Sequence, residues 1–241
     1  MNTLEAMERR LAALYHVDAR GRILSVAAHT EAERAAGAAP RFHLVRTSLG
    51  NMWRFRSDLA ASVVKRLATL AGKEAALVLR NPREAPEAPE REEFMRRALE
   101  ELAPVESSWA GPGYAFPETL EGRPHSHEVR EWTQADVPLL HAELADAAFT
   151  PGSQAVVVDE QIVSLCICAR GGPGGFTEAG IRTAAPFTRQ GHAAAAVRAW
   201  AVSVRELGGE PFYSTSWDNA ASLGLAAHLG LIAVGEDRHW Y

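Results

Sequence analysis

Residues 183–209 read TAAPFTRQGHAAAAVRAWAVSVRELGG, and the fold turns on how this stretch is understood. Pro186, Arg189, Gly191 and His192 crowd a short turn that runs straight into an Ala-rich amphipathic helix, expected over about 192–207. A helix N-terminus carries unpaired N–H groups and a partial positive charge. Glycine lets a ligand approach the backbone closely. Arg189 and His192 add cationic or donor capacity, and Ala193 and Ala194 keep the first helical turn open. Together they read as a cradle for phosphate or pyrophosphate. The plainer alternative is that Gly191 shapes a turn and the alanines favour helix.

Working outward, FTEAGIRTA (176–184) before the turn and EPFYSTSW (210–217) after it read as strands. A helix is expected over 219–228, then LIAVGED with RHWY as a final strand pair. Upstream, HEVREWT (127–133) reads as a strand and Asp136–Ala148 as a helix with Pro138 in its first turn. QAVVVDE and QIVSLCICAR follow as two strands joined by a tight acidic turn. The order β-α-β-β-β-α-β-α-β predicts a mixed α/β sheet with helices on its faces.

The first half has a different texture. A helix over 2–15, a strand at 23–28, a hairpin of 41–48 with 52–56, and a helix over 58–72 capped by Ser57 or Asp58 are expected. NPREAPEAPEREE (81–93), rich in Pro and Glu, reads as an exposed linker. A charged helix near 90–102 and the Gly/Pro-rich WAGPGYAFP close this half. The expected division is therefore a smaller α/β module over 1–121 and a second domain over 122–241. The halves are expected to share an interface, since a small sheet with one covering helix buries little surface alone.

Composition narrows the function. With 25 Lys+Arg against 30 Asp+Glu, the formal net charge of −5 favours neither nucleic acid nor anionic lipid as a partner. No apolar run approaches a membrane span, and the N-terminus lacks a signal-peptide core, so a cytoplasmic location is expected. Cys166 and Cys168 alternate on one strand face, a geometry suited to neither a disulfide nor a zinc site. They read as small buried hydrophobes. His125 and His127 form a His-x-His pair without a recognisably spaced third ligand, and no metal is expected. The six tryptophans are scattered and read as packing residues.

The second half resembles the GNAT superfamily of N-acetyltransferases over about residues 127–241. Its signature is a strand running into Gln/Arg-x-x-Gly-x-Gly/Ala. Thr188-Arg189-Gln190-Gly191-His192-Ala193 occupies that register, with Thr188 in place of the first Gln or Arg. Downstream, Asn219, Ser222, Gly230 and Leu231 match the family's Asn, small residue and Gly-Phe spacing, with Leu for Phe. A tyrosine common in that helix is here Ala226, so any general acid is water or a residue elsewhere, Tyr213 being one candidate.

The resemblance implies direct acyl transfer from acetyl-coenzyme A to a primary amine of a small molecule or peptide in a ternary complex. It implies backbone contacts from Ile181 and Thr183 on a splayed strand, and coenzyme contacts from residues 188–194, Asn219 and Ser222. Glu178, at the start of that strand, is the base candidate, against a plain solvent-facing carboxylate. The alternative for Asn219 is a helix cap, and for Ser222 a side chain facing its helix neighbours. A non-catalytic acyl-coenzyme A-binding sensor or interaction module is the alternative. The first half carries no recognised catalytic motif, and stability, homodimer contacts or part of the acceptor pocket are the roles expected of it.

Overall fold

The computed structural model describes residues 2–27, 39–120, 128–172 and 174–241. The His125/His127 pair and Ala28 lie outside the described residues. The chain forms two contact-defined units, the first from 1–114, 214–223 and 233–241, the second from 115–213 and 224–232. The interval 122–241 thus holds most of the second unit and two segments of the first. Among the described residues no helix is long and apolar enough to cross a membrane.

In the first unit, α1 (Thr3–Leu14) opens behind Asn2, whose Oδ1 accepts bonds from the N–H of Leu4 and Glu5. Strands β1 (Tyr15–Val17) and β2 (Ile23–Val26) pair antiparallel. Strands β3 (Phe42–Thr47) and β4 (Gly50–Phe55) make the expected hairpin. With β5 (Ser108–Ala115) and β11 (Ile232–Trp240), their order is β4-β3-β11-β5. Helices α2 (Ala61–Ala71) and α3 (Glu92–Glu100) cover one face. Phe42, Leu44, Phe55, Leu67, Met95 and Trp240 are buried there, with Phe42 stacked between Phe55 and Trp240 at centroid distances of 5.3 and 5.2 Å. Each such side chain contributes about 1.5–3 kcal/mol on burial.

The second unit contains β6 (Glu128–Glu131), β7 (Gln154–Val158), β8 (Gln161–Gly171), β9 (Phe176–Thr183) and β10 (Glu210–Ser214), in the order β10-β9-β8-β7-β6. Helix α4 (His192–Glu206) packs on β7, β8 and β9, burying Ala194, Val197, Trp200, Ala201 and Val204. On the other face, Trp132, Leu144, Ala155, Ile162 and Leu165 form a second core. Helix α5 (Ala220–His228) precedes β11. The mixed α/β class expected from the sequence is the observed one.

Several expectations are corrected. The helix expected over 136–148 is two short 3-10 turns, Gln134–Leu139 and Ala142–Leu144. Pro138 has no N–H to donate, and Leu140 turns to extended geometry. Thr133 and Asp136 form a capping box there, and Arg130 donates to Asp136 at 2.8 Å. Neither Ser57 nor Asp58 caps α2; it starts after Ala60, while Asp58 accepts two bonds from Arg56. Most of the Gly/Pro-rich WAGPGYAFP stretch, to which no strand was assigned, lies in β5, where a Cβ on Gly111 would lie 1.9 Å from the Thr215 carbonyl oxygen. Glycine is what allows that close approach. Conversely, the strand expected through Trp217 ends at Ser214, and the final strand pair is one continuous nine-residue strand, β11.

Candidate functional site

The distinguishing geometry of the second unit is where the β9–β10 ladder stops. The strands run parallel, with Glu210, Pro211 and Phe212 opposite Phe176, Thr177 and Glu178. Beyond that rung β9 continues to Thr183, paired on its other side with β8. Alternation decides which backbone groups face the opening. Ala184 N–H donates to Val163 O at 2.9 Å, and the Arg182 carbonyl accepts from Ser164 Oγ, so even-numbered residues turn toward β8. The Gly175 carbonyl accepts from Glu210 N–H at 2.9 Å, so odd-numbered residues turn toward β10. The N–H groups of Ile181 and Thr183 therefore face the side from which β10 has withdrawn. The Thr183 hydroxyl lies 2.7 Å from Ser164 Oγ, which ties down its side chain.

The turn that follows carries two left-handed residues, Arg189 at φ 59° and Gly191 at φ 87°. Only glycine adopts the second without strain, whereas Arg189 holds its conformation at a cost. Thr188 Oγ1 donates to the Ala185 carbonyl at 3.0 Å, and Gln190 Nε2 to that of Pro186 at 3.0 Å. Both side chains thus brace the turn. Residues 188–191 are exposed, and Gly191 is the N-cap of α4 with no side chain bonded to its first N–H groups. His192 is buried and lies beside Phe187, whereas Ala193 is half-buried and Ala194 buried. A helix start reached through an exposed turn, without a side-chain cap and with a small-residue first turn, suits an anion.

Glu178 is buried at 8% exposure and sits on the last rung of the β9–β10 ladder. Across β8 its register partner is Arg170, brought there by a bulge between Cys168 and Arg170. Trp200 Nε1 donates to Cys168 Sγ at 3.4 Å, so Cys168 and its ladder partner Ala179 face α4, and Glu178 faces away from it. Phe212 shares the Glu178 face as its ladder partner, and Tyr213, the next residue, shares the face of α4. Tyr213 is buried at 1% exposure. The two candidate proton-transfer residues thus lie on opposite faces of neighbouring strands. Burial pushes the thiols of Cys166 and Cys168 up, the wrong direction for a thiolate nucleophile.

Asn219 and Ser222 belong to segments of the first unit. Asn219 Oδ1 accepts from Ser222 N–H at 3.0 Å, so the side chain caps α5, as the plainer reading of this residue had it. Ala226 is buried, and its carbonyl accepts from Leu231 N–H at 3.0 Å beyond the turn at Gly230. One cation was passed over. Arg198, two turns into α4, is half-buried, and its Nε has no hydrogen-bond partner among the described residues. Burial lowers its pKa. The available signal was an arginine interrupting the Ala-Val stripe of that helix.

No family model and no curated protein matches this chain. Among solved structures it is similar to a GNAT-family acetyltransferase from Colwellia psychrerythraea, at 11% identity and TM-score 0.47 over 78% of this chain and 75% of that one. It is similar to a GCN5-related N-acetyltransferase-like protein from Streptococcus suis, at 13% identity and TM-score 0.45 over 84% and 85%. It is also similar to a GCN5-related N-acetyltransferase from Kribbella flavida, at 16% identity and TM-score 0.41, spanning 60% of this chain and 62% of that one.

Proposed function

We propose that the protein is an acyl-coenzyme A-dependent N-acyltransferase, with acetyl as the reference acyl group and a primary amine as acceptor. The observation that carries this reading is the early end of the β9–β10 ladder at Glu178 and Phe212, leading through the exposed turn to the uncapped start of α4. The turn and the first N–H groups of α4, with Arg189 beside them, hold the pyrophosphate. The Ile181 and Thr183 amides bond the pantetheine arm and receive the thioester oxygen as it gains charge. The amine nitrogen attacks the thioester carbon, the C–S bond breaks, the sulfur leaves as a thiol, and the surplus proton on nitrogen passes through water to restore the acid that protonated the sulfur.

Two proton transfers accompany that step. Glu178, directly or through water, takes the proton from the ammonium before attack. Tyr213 delivers one to the departing sulfur, in the absence of a tyrosine at Ala226. Their opposite faces suit groups acting from two sides of a thioester lying between the strands. Residues 122–241 supply the acyl-coenzyme A chemistry in this reading. Substitution of Ala226 for a common acid also supports a second reading, an acyl-coenzyme A-binding module without turnover. Coenzyme A release measured with a panel of amines, alongside calorimetric binding of acetyl-coenzyme A, separates the two. Binding with turnover supports the enzyme, binding without turnover the module, and no binding overturns both.

A further inference from the structure

Three donor atoms converge on the face of the first unit's sheet that meets α1. His43 Nε2 lies 2.7 Å from Asp237 Oδ1 and 3.2 Å from His239 Nε2, and the three residues bring one ligand atom each within 4.8 Å of one another. Strand register explains the meeting. His239 lies directly opposite His43 in the β3–β11 ladder, and Asp237 precedes His239 by two residues on the same face. His43 and Asp237 are fully buried, His239 is half-buried, and Trp109 stacks on the His239 ring at 4.9 Å.

The spacing is close to that of a coordination shell. A tetrahedral zinc ion with metal–nitrogen bonds of about 2.0–2.1 Å sets its ligand atoms roughly 3.3 Å apart. The two Nε2 atoms stand 3.2 Å apart. Asp237 Oδ1, at 2.7 Å from His43 Nε2, has to withdraw by roughly 0.6 Å to reach that separation. The outer partners turn all three groups inward. The Tyr15 hydroxyl lies 2.9 Å from His43 Nδ1, and the Tyr241 hydroxyl 3.2 Å from His239 Nδ1. Metal-bound histidines are held in this way through the second ring nitrogen. Arg10 donates to Asp237 Oδ2 at 2.6 Å, which leaves Oδ1 toward the imidazoles.

Proton counting points the same way. One proton on His43 Nε2 can lie along the 2.7 Å line to Asp237 Oδ1 or the 3.2 Å line to His239 Nε2. It cannot lie along both. The other short contact is then poorly satisfied, and poor satisfaction of polar groups as buried as His43 and Asp237 is costly. A cation takes all three lone pairs at once and releases that proton. We propose that His43, Asp237 and His239 form a binding site for a first-row divalent transition cation, which pins the C-terminal strand β11 to β3. The two imidazoles and one carboxylate select zinc, cobalt or nickel over magnesium or calcium. The Arg10 charge opposes the ion, so the site is an exchangeable one.

The test uses the full chain, untagged, stripped with a chelator and titrated at neutral pH with zinc chloride by calorimetry and with cobalt chloride by visible absorption. One ion per chain, tetrahedral cobalt bands and a zinc-dependent rise in melting temperature are expected. His239→Gln should lose zinc affinity by on the order of 10²-fold. Arg10→Gln should gain affinity, because it removes like charge. A folded wild-type chain that gives only the spectrum of aqueous cobalt, with no zinc uptake, overturns the proposal. If His239→Gln fails to fold, the wild-type cobalt spectrum decides alone. Activity toward amines enters none of these readouts, so failure here leaves the transferase reading where it stood.

Discussion

Two strand pairs treat their polar groups in opposite ways. In the first unit, β3 and β11 pair over five rungs from Glu236↔Arg46 to Trp240↔Phe42, and the buried charges along them are matched to one another. Glu236, fully buried, accepts from Arg46 at 3.1 Å, Arg238 at 3.0 Å and Trp217 Nε1 at 2.9 Å. Burial also holds His43 and His239 well below the ordinary histidine range, hence neutral. In the second unit, β9 and β10 pair over three rungs and then part. There the Ile181 and Thr183 amides of β9 face the side from which β10 has withdrawn, and no side chain caps the start of α4. One ladder is closed by its own side chains, and the other is left open at the point where chemistry is proposed.

The largest effect should come from breaking the closed ladder. Glu236→Ala leaves two arginines and an indole N–H without their shared acceptor. It should cost about 3–5 kcal/mol, read as a shift in the denaturant midpoint of the full chain. A loss below 1 kcal/mol would mean that the pairings are no stronger than surface ones. Glu178→Gln, at the open ladder, should leave stability nearly unchanged and lower turnover by on the order of 10²-fold. Recovery of that rate at high pH, where more amine is free, supports Glu178 as the base. Wild-type turnover in the variant at saturating amine removes it from the mechanism.

Next comes the turn. Gly191→Asp places a carboxylate and a left-handed strain at the N-cap of α4, and should weaken acetyl-coenzyme A binding by at least tenfold, about 1.4 kcal/mol. Arg189→Ala should weaken it less, with a loss that shrinks at high salt. Unchanged affinity in a folded Gly191 variant removes the pyrophosphate assignment.

The smallest effect concerns acid. Hydrogen bonds from Arg130, then from the Thr133 backbone, hold the Asp136 carboxyl well below the usual carboxylate range. A depressed folded pKa contributes stability that is present above the unfolded value near 3.8 and fades as pH falls below it. Asp136→Asn should therefore flatten the acid limb of a melting profile below about pH 4 while costing about 1 kcal/mol at neutral pH. An unaltered acid limb would show that the capping box contributes nothing to that unit.

Local chemistry made much of this legible. Glycine permits a turn and the alanines favour helix, so a turn running into α4 could be read from residues 183–209, while the left-handed conformation of Gly191 is seen only in the structure. The short apolar runs of 154–160 and 161–170 and the segment 176–184 were legible as β7, β8 and β9, and the spacing of Leu4, Met7, Leu11 and Leu14 as α1. Asn219 as the cap of α5 was an open alternative in the sequence, and one hydrogen bond gives it that role. What failed locally failed for a stated reason. Gly111 and Pro112 mimic a loop, yet a strand forms because only glycine admits the Thr215 carbonyl so closely.

The sequence by itself determined where most strands run and where a glycine-containing turn opens the Ala-rich helix. Those depend on residues a few positions apart. Tertiary structure decided where β10 leaves β9, which face carries Glu178 and which Tyr213, and that His43 meets Asp237 and His239 across nearly the whole chain length. Such pairings are set by the register between strands distant in sequence, and a one-residue slip in register would turn every one of these side chains to the other face.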